Sequence, residues 1–120
     1  MVITEEMQDR LKRWAQVWFD NYTDRKRYHW LNWTEEHIQE YLNKEAPKLE
    51  FDPGNKYIRV WQVMSGQRSC HAFVNPQTGD VLKAASWKAP AKGVRFNLLD
   101  NTSFEKMLSK LDWAGGYLYK

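Results

Sequence analysis

The sequence predicts an α+β fold: two N-terminal helices, an antiparallel β-meander of three or more strands, and a C-terminal helix. Three observations predict it. Apolar residues recur at helical spacing early in the chain and again near its end. From Tyr57 the apolar period falls to two. Compact turn signals separate the period-two runs. A length of 120 residues suits a single domain spanning 1–120.

The first helix is expected from Thr4 to about Tyr22. Met7, Leu11, Trp14, Trp18 and Tyr22 lie on one helical face. Thr4 suits the N-cap, and Glu5 and Glu6 suit the positive end of the dipole. Asn21 to Trp33 reads as a polar, aromatic connection carrying the basic cluster Arg25, Lys26 and Arg27. A second helix starts at Thr34 as N-cap and ends before Pro47, because the residue ahead of a proline is pushed out of the α region. Its apolar face is Ile38, Tyr41 and Leu42.

Asp52-Pro53-Gly54-Asn55 is a turn. Tyr57 to Met64 is a strand, Ser65-Gly66-Gln67 a hairpin turn, and Arg68 to Asn75 the partner strand. A second turn, Asn75 to Asp80, leads into a third strand from Asp80 to Ala85. Thr102 to Leu111 is the last helix, with Thr102 and Glu105 at capping-box spacing. The end of the chain is apolar, with Trp113, Tyr117, Leu118 and Tyr119, and is expected to dock on its own subunit or on a neighbour.

Composition excludes several classes. No run of about 18 apolar residues exists, so no membrane span is expected. MVITEEMQDR has no apolar stretch of secretory type. The single cysteine, Cys70, cannot form an internal disulfide, which suits a reducing cytosol. Cys70 and His71 are strand neighbours pointing to opposite faces, so they form no catalytic dyad, and Cys70 reads as a core cysteine. No zinc-ligand spacing occurs, and the glycines match neither a Walker loop nor a dinucleotide fingerprint. Glu35 and Glu36 read as helix-start charge rather than paired catalytic carboxylates. The chain is expected to be no enzyme and to carry no cofactor and no metal. Seven tryptophans are more than a small core can enclose, so some are expected at a pocket rim or subunit interface.

The net charge of +3 is too small to announce nucleic acid. Its distribution is more informative. Between Asp80 and Asp100 stand Lys83, Lys88, Lys92 and Arg95 with no acid among them. Trp87 and Phe96 offer faces for a stacked base, and Asn97 offers a donor and an acceptor to an adenine edge. Lys88, Lys92 and Arg95 suit phosphates. Small neighbours from Ala84 to Ala91 let a ligand approach the backbone. Trp87 to Asn97 therefore reads as a binding loop for a nucleotide-like anion. The competing reading makes Trp87 a core plug, Asn97 a turn cap and the cations solvated. Arg59, Arg68 and Lys83 are further candidates for the same site.

The block His71-Ala72-Phe73-Val74, followed by Thr78 to Asn97 (TGDVLKAASWKAPAKGVRFN), looks like a block common in small bacteriophage proteins. It resembles the first family of Thoeris anti-defence proteins, phage sponges that sequester the cyclic ADP-ribose isomers made by bacterial TIR domains. The likeness covers residues 71–97, and the chain's length and helical N-terminal half suit it. The resemblance implies ligand contacts from an aromatic residue and an asparagine ten positions apart, roles that fall to Trp87 and Asn97. Trp87 stands where that family's pattern has Phe. The resemblance further implies binding of glycocyclic ADP-ribose without cleavage, in pockets between two subunits of a homodimer or hexamer, in the host bacterial cytoplasm. It also implies cyclic oligonucleotides at a separate site, for which Arg25, Arg27, Lys106 and Lys110 are basic candidates.

Sequestration sets an energetic requirement. Nanomolar binding needs about −12 kcal/mol. One stacked base and a few phosphate contacts from one chain fall short once association entropy is subtracted, which favours a pocket closed by two subunits. Two alternatives stand beside the sponge: a single-stranded nucleic-acid-binding protein, and a protein-interaction module that presents its tryptophan-rich surface to a host protein.

Overall fold

The computed structural model describes residues 3–86 and 88–119. Helix α1 (Glu5–Arg27) leads through a 3-10 turn (Tyr28–Trp30) to α2 (Glu35–Glu45). Five strands follow: β1 (Lys48–Pro53), β2 (Ile58–Met64), β3 (Gln67–Val74), β4 (Asp80–Ala84) and β5 (Pro90–Asn97). Helix α3 (Asn101–Lys110) and a 3-10 turn (Gly116–Leu118) close the chain. The strands form one antiparallel sheet in the order β1-β2-β3-β4-β5.

The α+β class and the meander stand as expected, with three differences. Where two N-terminal helices were expected, the structure has one long helix and a shorter one. The first does not stop near Tyr22 but runs through the basic cluster to Arg27, where Arg25, Lys26 and Arg27 sit at the negative end of its dipole. The sheet gains β1 and β5. β1 is a short alternating run, Lys48-Leu49-Glu50-Phe51-Asp52, ahead of a turn, whereas β5 begins with Pro90-Ala91-Lys92-Gly93 and is recruited by backbone pairing to β4. Helix α3 starts earlier than expected. Its cap is Asp100, which accepts a hydrogen bond from the Ser103 N–H at 3.2 Å, while Glu105 reaches Arg13 on α1 instead of closing a capping box.

The core lies between α1 and one face of the sheet. Met7, Leu11, Trp14, Trp18 and Tyr22 are all buried on α1, and Ile58, Val60, Ala72, Val74 and Val81 face them from the strands. Helix α3 adds Phe104 and Met107, and the C-terminal turn adds Tyr117 and Leu118. The apolar end thus docks on its own chain. Within this core a polar relay is enclosed. The Trp14 indole N–H donates to the Tyr117 hydroxyl at 3.0 Å, and that hydroxyl lies 2.7 Å from His71 Nε2. His71 Nδ1 lies 3.1 Å from Gln62 Oε1.

The register slips between Val60 and Trp61, so Val60 opposes Ala72 while Trp61 opposes Cys70. This bulge turns His71 into the core alongside Ala72. Trp61, Val63 and Phe73 are buried as well but fall on the opposite, outer face. Cys70 is half-buried beside Trp61 rather than in the core. Burial raises its thiol pKa, and the Arg59 charge opposes that rise.

The molecule is elongated, 45 × 29 × 28 Å. No residue of α1 beyond Tyr22 is fully buried, and none of α2 is. The last turns of α1, the 3-10 turn and α2 form an arm that leaves the sheet and returns. Its base is held where Ser65, in the β2–β3 turn, bonds Glu45. Tyr22 lies near Tyr41 and Glu45 there, and burial followed by those neighbours raises its hydroxyl pKa.

Candidate anion site on the outer sheet face

The sequence-predicted stretch is not one loop. Residues 90–97 form edge strand β5, and the connection from β4 is confined to residues 85–89. Ser86 closes that connection, its hydroxyl accepting from the N–H groups of Lys88 (3.2 Å) and Ala89 (3.3 Å). Trp87 lies outside the described residues.

Once the stretch becomes a strand, its residues are divided between two faces. Phe96 opposes Val81 and is 5 % exposed, so its ring belongs to the helix-side core and has no open face for a base. Asn97 is committed to the β3–β4 and β5–α3 turns. Its amide nitrogen donates to the Thr78 carbonyl and to Asp80 Oδ1, each at 2.9 Å. Its amide oxygen accepts from the N–H groups of Leu99 (2.9 Å) and Asp100 (3.0 Å). Arg95 holds the C-terminal segment, donating from Nε to the Leu118 carbonyl at 2.8 Å and from Nη1 to the Gly93 carbonyl at 3.1 Å. Lys83 sits over the Tyr119 ring at 4.0 Å. Lys92 is exposed on β5. Arg68 stacks on Trp61 at 4.3 Å and lies 3.9 Å from Glu50.

Two of the predicted residues, Lys88 and Arg59, do come together. They line a pocket of about 210 Å³ with Lys56, Tyr57 and Phe73 and the turn residues Gly54 and Asn55. Lys88 reaches this pocket from the β4–β5 connection, whereas Arg59 reaches it from β2 and Phe73 from β3. The turn is local chemistry. Pro53 ends β1, and the Gly54 N–H donates to the Tyr57 carbonyl at 2.9 Å. That places Lys56 and Tyr57 at the mouth.

Three cations therefore surround one small cavity, and among the described residues no carboxylate lines it. The Arg59 guanidinium lies 5.9 Å from the Phe73 ring centre, and its Nε is buried with no hydrogen-bond partner. Such a donor is costly to leave unmade. Tyr57 meets Phe73 edge to face at 5.9 Å, which leaves a half-buried phenol ring at the rim. The arrangement suits a phosphate gripped by cations beside a ring on which a base or sugar packs.

Lys56, Tyr57 and Phe73 were not singled out in the sequence. Lys56 and Tyr57 follow a turn, where a basic and an aromatic residue attract no notice, and Phe73 reads as strand filling. The Asp52-Pro53-Gly54-Asn55 turn was the available clue, because it exposes whatever follows it. Among the described residues, no group of three or more His, Cys, Asp or Glu side chains is placed to hold a metal ion, and no helix is long and apolar enough to cross a membrane.

A family model, DUF7717, described as a family of unknown function, matches residues 2–120. No curated protein and no solved structure matches the chain.

Proposed function

We propose that this chain, which belongs to the DUF7717 family, is a non-catalytic binder that sequesters a nucleotide-like anion in the pocket formed by Lys56, Arg59 and Lys88. The observation that carries the reading is the convergence of Lys56, Arg59 and Lys88 on one small pocket that no described carboxylate lines. The finer reading is the one the resemblance of residues 71–97 implies: a phage anti-defence sponge for glycocyclic ADP-ribose, acting in the host cytoplasm.

Pocket size constrains how such a ligand sits. Drug-sized ligands occupy clefts of roughly 300–1,000 Å³. A cavity of about 210 Å³ takes a phosphate and part of its sugar. The remainder of a dinucleotide lies outside, along the β4–β5 connection to which Lys88 and Trp87 belong. In this reading Trp87 stacks the base. Phe96 and Asn97 contribute by holding β5 and its turns in place, with Tyr57 and Lys56 taking ligand contacts in their stead.

Calorimetry with cyclic ADP-ribose isomers, linear ADP-ribose and pyrophosphate tests the proposal. A cyclic isomer is expected to bind, to be released intact on heating, and to lose about tenfold in affinity for each of Lys56→Ala and Lys88→Ala, since one charge-assisted contact is worth roughly 1.5–3 kcal/mol. Absence of heat from every probe, or affinities unchanged in both variants, overturns it. A single-stranded nucleic-acid binder would instead weaken steeply with salt as counterions are released.

A further inference from the structure

Beyond its base, where Glu45 bonds Ser65 and Lys26 sits over Trp113, the arm is largely exposed. On α2 none of the residues is fully buried, and at the turn joining it to α1 the side chains of Tyr28 and Leu31 are 76 % and 75 % exposed. These are the two most exposed large apolar side chains on the described surface. Beside them Trp33 stacks on Trp30 at 6.0 Å and meets His37 and Tyr41 edge-on at 4.3 and 5.5 Å. The arm tip is a rigid aromatic platform rather than a frayed end.

Its charges are sorted by element. The end of α1 carries Arg25, Lys26 and Arg27, and α2 carries Glu35, Glu36, Glu40 and Glu45 against Lys44. Within the chain these two sets do not neutralise each other. Arg27 lies 3.7 Å from Asp24 on its own helix, Lys26 sits over Trp113 and Tyr22, and among the described residues Glu35, Glu36 and Glu40 form no ion pair. A surface with an apolar centre, one basic flank and one acidic flank is complementary to itself across a two-fold axis.

We propose that a second copy of this chain covers the arm. The two arms pack about a two-fold axis near Tyr28 and Leu31, and the basic end of α1 in each protomer faces the acidic α2 of the other. A nucleic acid or an anionic membrane fits less well, because α2 brings Glu35, Glu36 and Glu40 to the same end of the arm as the aromatic platform. The anion pocket stands on the β1–β2 turn, whereas the arm is rooted by Glu45 at the β2–β3 turn, the opposite end of β2. Dimerisation through the arms therefore leaves each pocket whole on its own chain, in contrast to the shared pocket implied by the resemblance.

Sedimentation velocity on the full chain across micromolar concentrations tests this with three variants. The wild type is expected to be a dimer, and Leu31→Glu a monomer. Arg25→Glu/Arg27→Glu and Glu36→Lys/Glu40→Lys, each alone, are expected to raise the dimer dissociation constant at least about tenfold through like-charge contact. Mixing those two charge-reversed proteins is expected to restore a heterodimer. Because all the reversed side chains are exposed, unchanged circular dichroism is the control, and the mixing experiment decides the matter even if Leu31→Glu fails to fold. A monomeric wild type, a dimer indifferent to all three variants, or a mixture that stays monomeric overturns the proposal. None of these results depends on anion binding.

Discussion

At the residue scale, the most constrained groups are His71 and Asn97. The relay through Trp14 Nε1, the Tyr117 hydroxyl and His71 Nε2 requires the imidazole to accept at Nε2 and donate from Nδ1 to Gln62, which is the neutral tautomer. Burial lowers the His71 pKa to about 4, against the weaker opposing effect of Asp112. The unfolded chain, with an ordinary value near 6.5, takes up a proton that the folded chain refuses. Stability therefore falls as pH drops from about 6.5 towards 4, by roughly 3 kcal/mol in all. Thermal melts should show this slope in the wild type and lose most of it in His71→Gln, whereas a slope unchanged by the substitution would assign the effect to other groups. Asn97 makes four hydrogen bonds to two turns. Asn97→Ala is expected to cost about 2 kcal/mol in urea unfolding, because it leaves backbone donors unpaired. A stability unchanged by Asn97→Ala would release that amide for ligand contact. The composition of the stretch and the family resemblance made Asn97 a ligand group, and only the fold shows its amide bonded to two turns.

At the element scale, what was legible in the sequence was what periodicity and capping encode. The five apolar positions of α1 and the Thr4 and Thr34 caps lie where the spacing predicts, with each threonine hydroxyl accepting an N–H at 3.1 Å. The β2–β3 hairpin is likewise where Ser65 and Gly66, both at positive φ, predict a tight turn. The edge strand β5 was illegible for a physical reason, unlike β1, whose Lys48-Leu49-Glu50-Phe51-Asp52 alternates. Pro90-Ala91-Lys92-Gly93 has little strand propensity, and β5 is held by pairing to β4 through two register shifts. The candidate site was only partly legible for the same reason, since Lys88 meets Arg59 through a chain reversal no local pattern encodes. One turn should be especially intolerant. Gly79 has φ +84°, and a Cβ there would stand 2.8 Å from Leu99 Cγ and 3.0 Å from Asn97 Oδ1. Gly79→Ala is expected to destabilise by roughly 1–3 kcal/mol, combining backbone strain with displacement of the Asn97 bracket. Gly66→Ala, at a similar φ but with nothing within 4 Å of the added Cβ, should cost less. Equal urea midpoints for the two variants would show that the Leu99 and Asn97 contacts yield freely.

At the scale of the whole molecule, the sheet separates two surfaces along its length. Strand β2 runs from Ile58, beside the anion pocket, to Met64, beside the root of the arm. At about 3.3 Å per residue that is roughly 20 Å of hydrogen-bonded strand, paired on both sides. A central strand held this way has no second arrangement in the fold with which to carry a signal between its ends, and coupling requires such a bistable element. Binding at the pocket and association through the arm should therefore be independent. Calorimetry is expected to give one ligand per chain with the same affinity, within about twofold, for the wild type and for Leu31→Glu. Saturating ligand should raise the melting temperatures of both by the same amount, since stabilisation by a ligand at a hundredfold excess over its dissociation constant is about 2.7 kcal/mol whatever the assembly. Half-stoichiometric binding in the wild type that disappears in Leu31→Glu would instead mean that two chains share one ligand, which would return the pocket to the subunit interface.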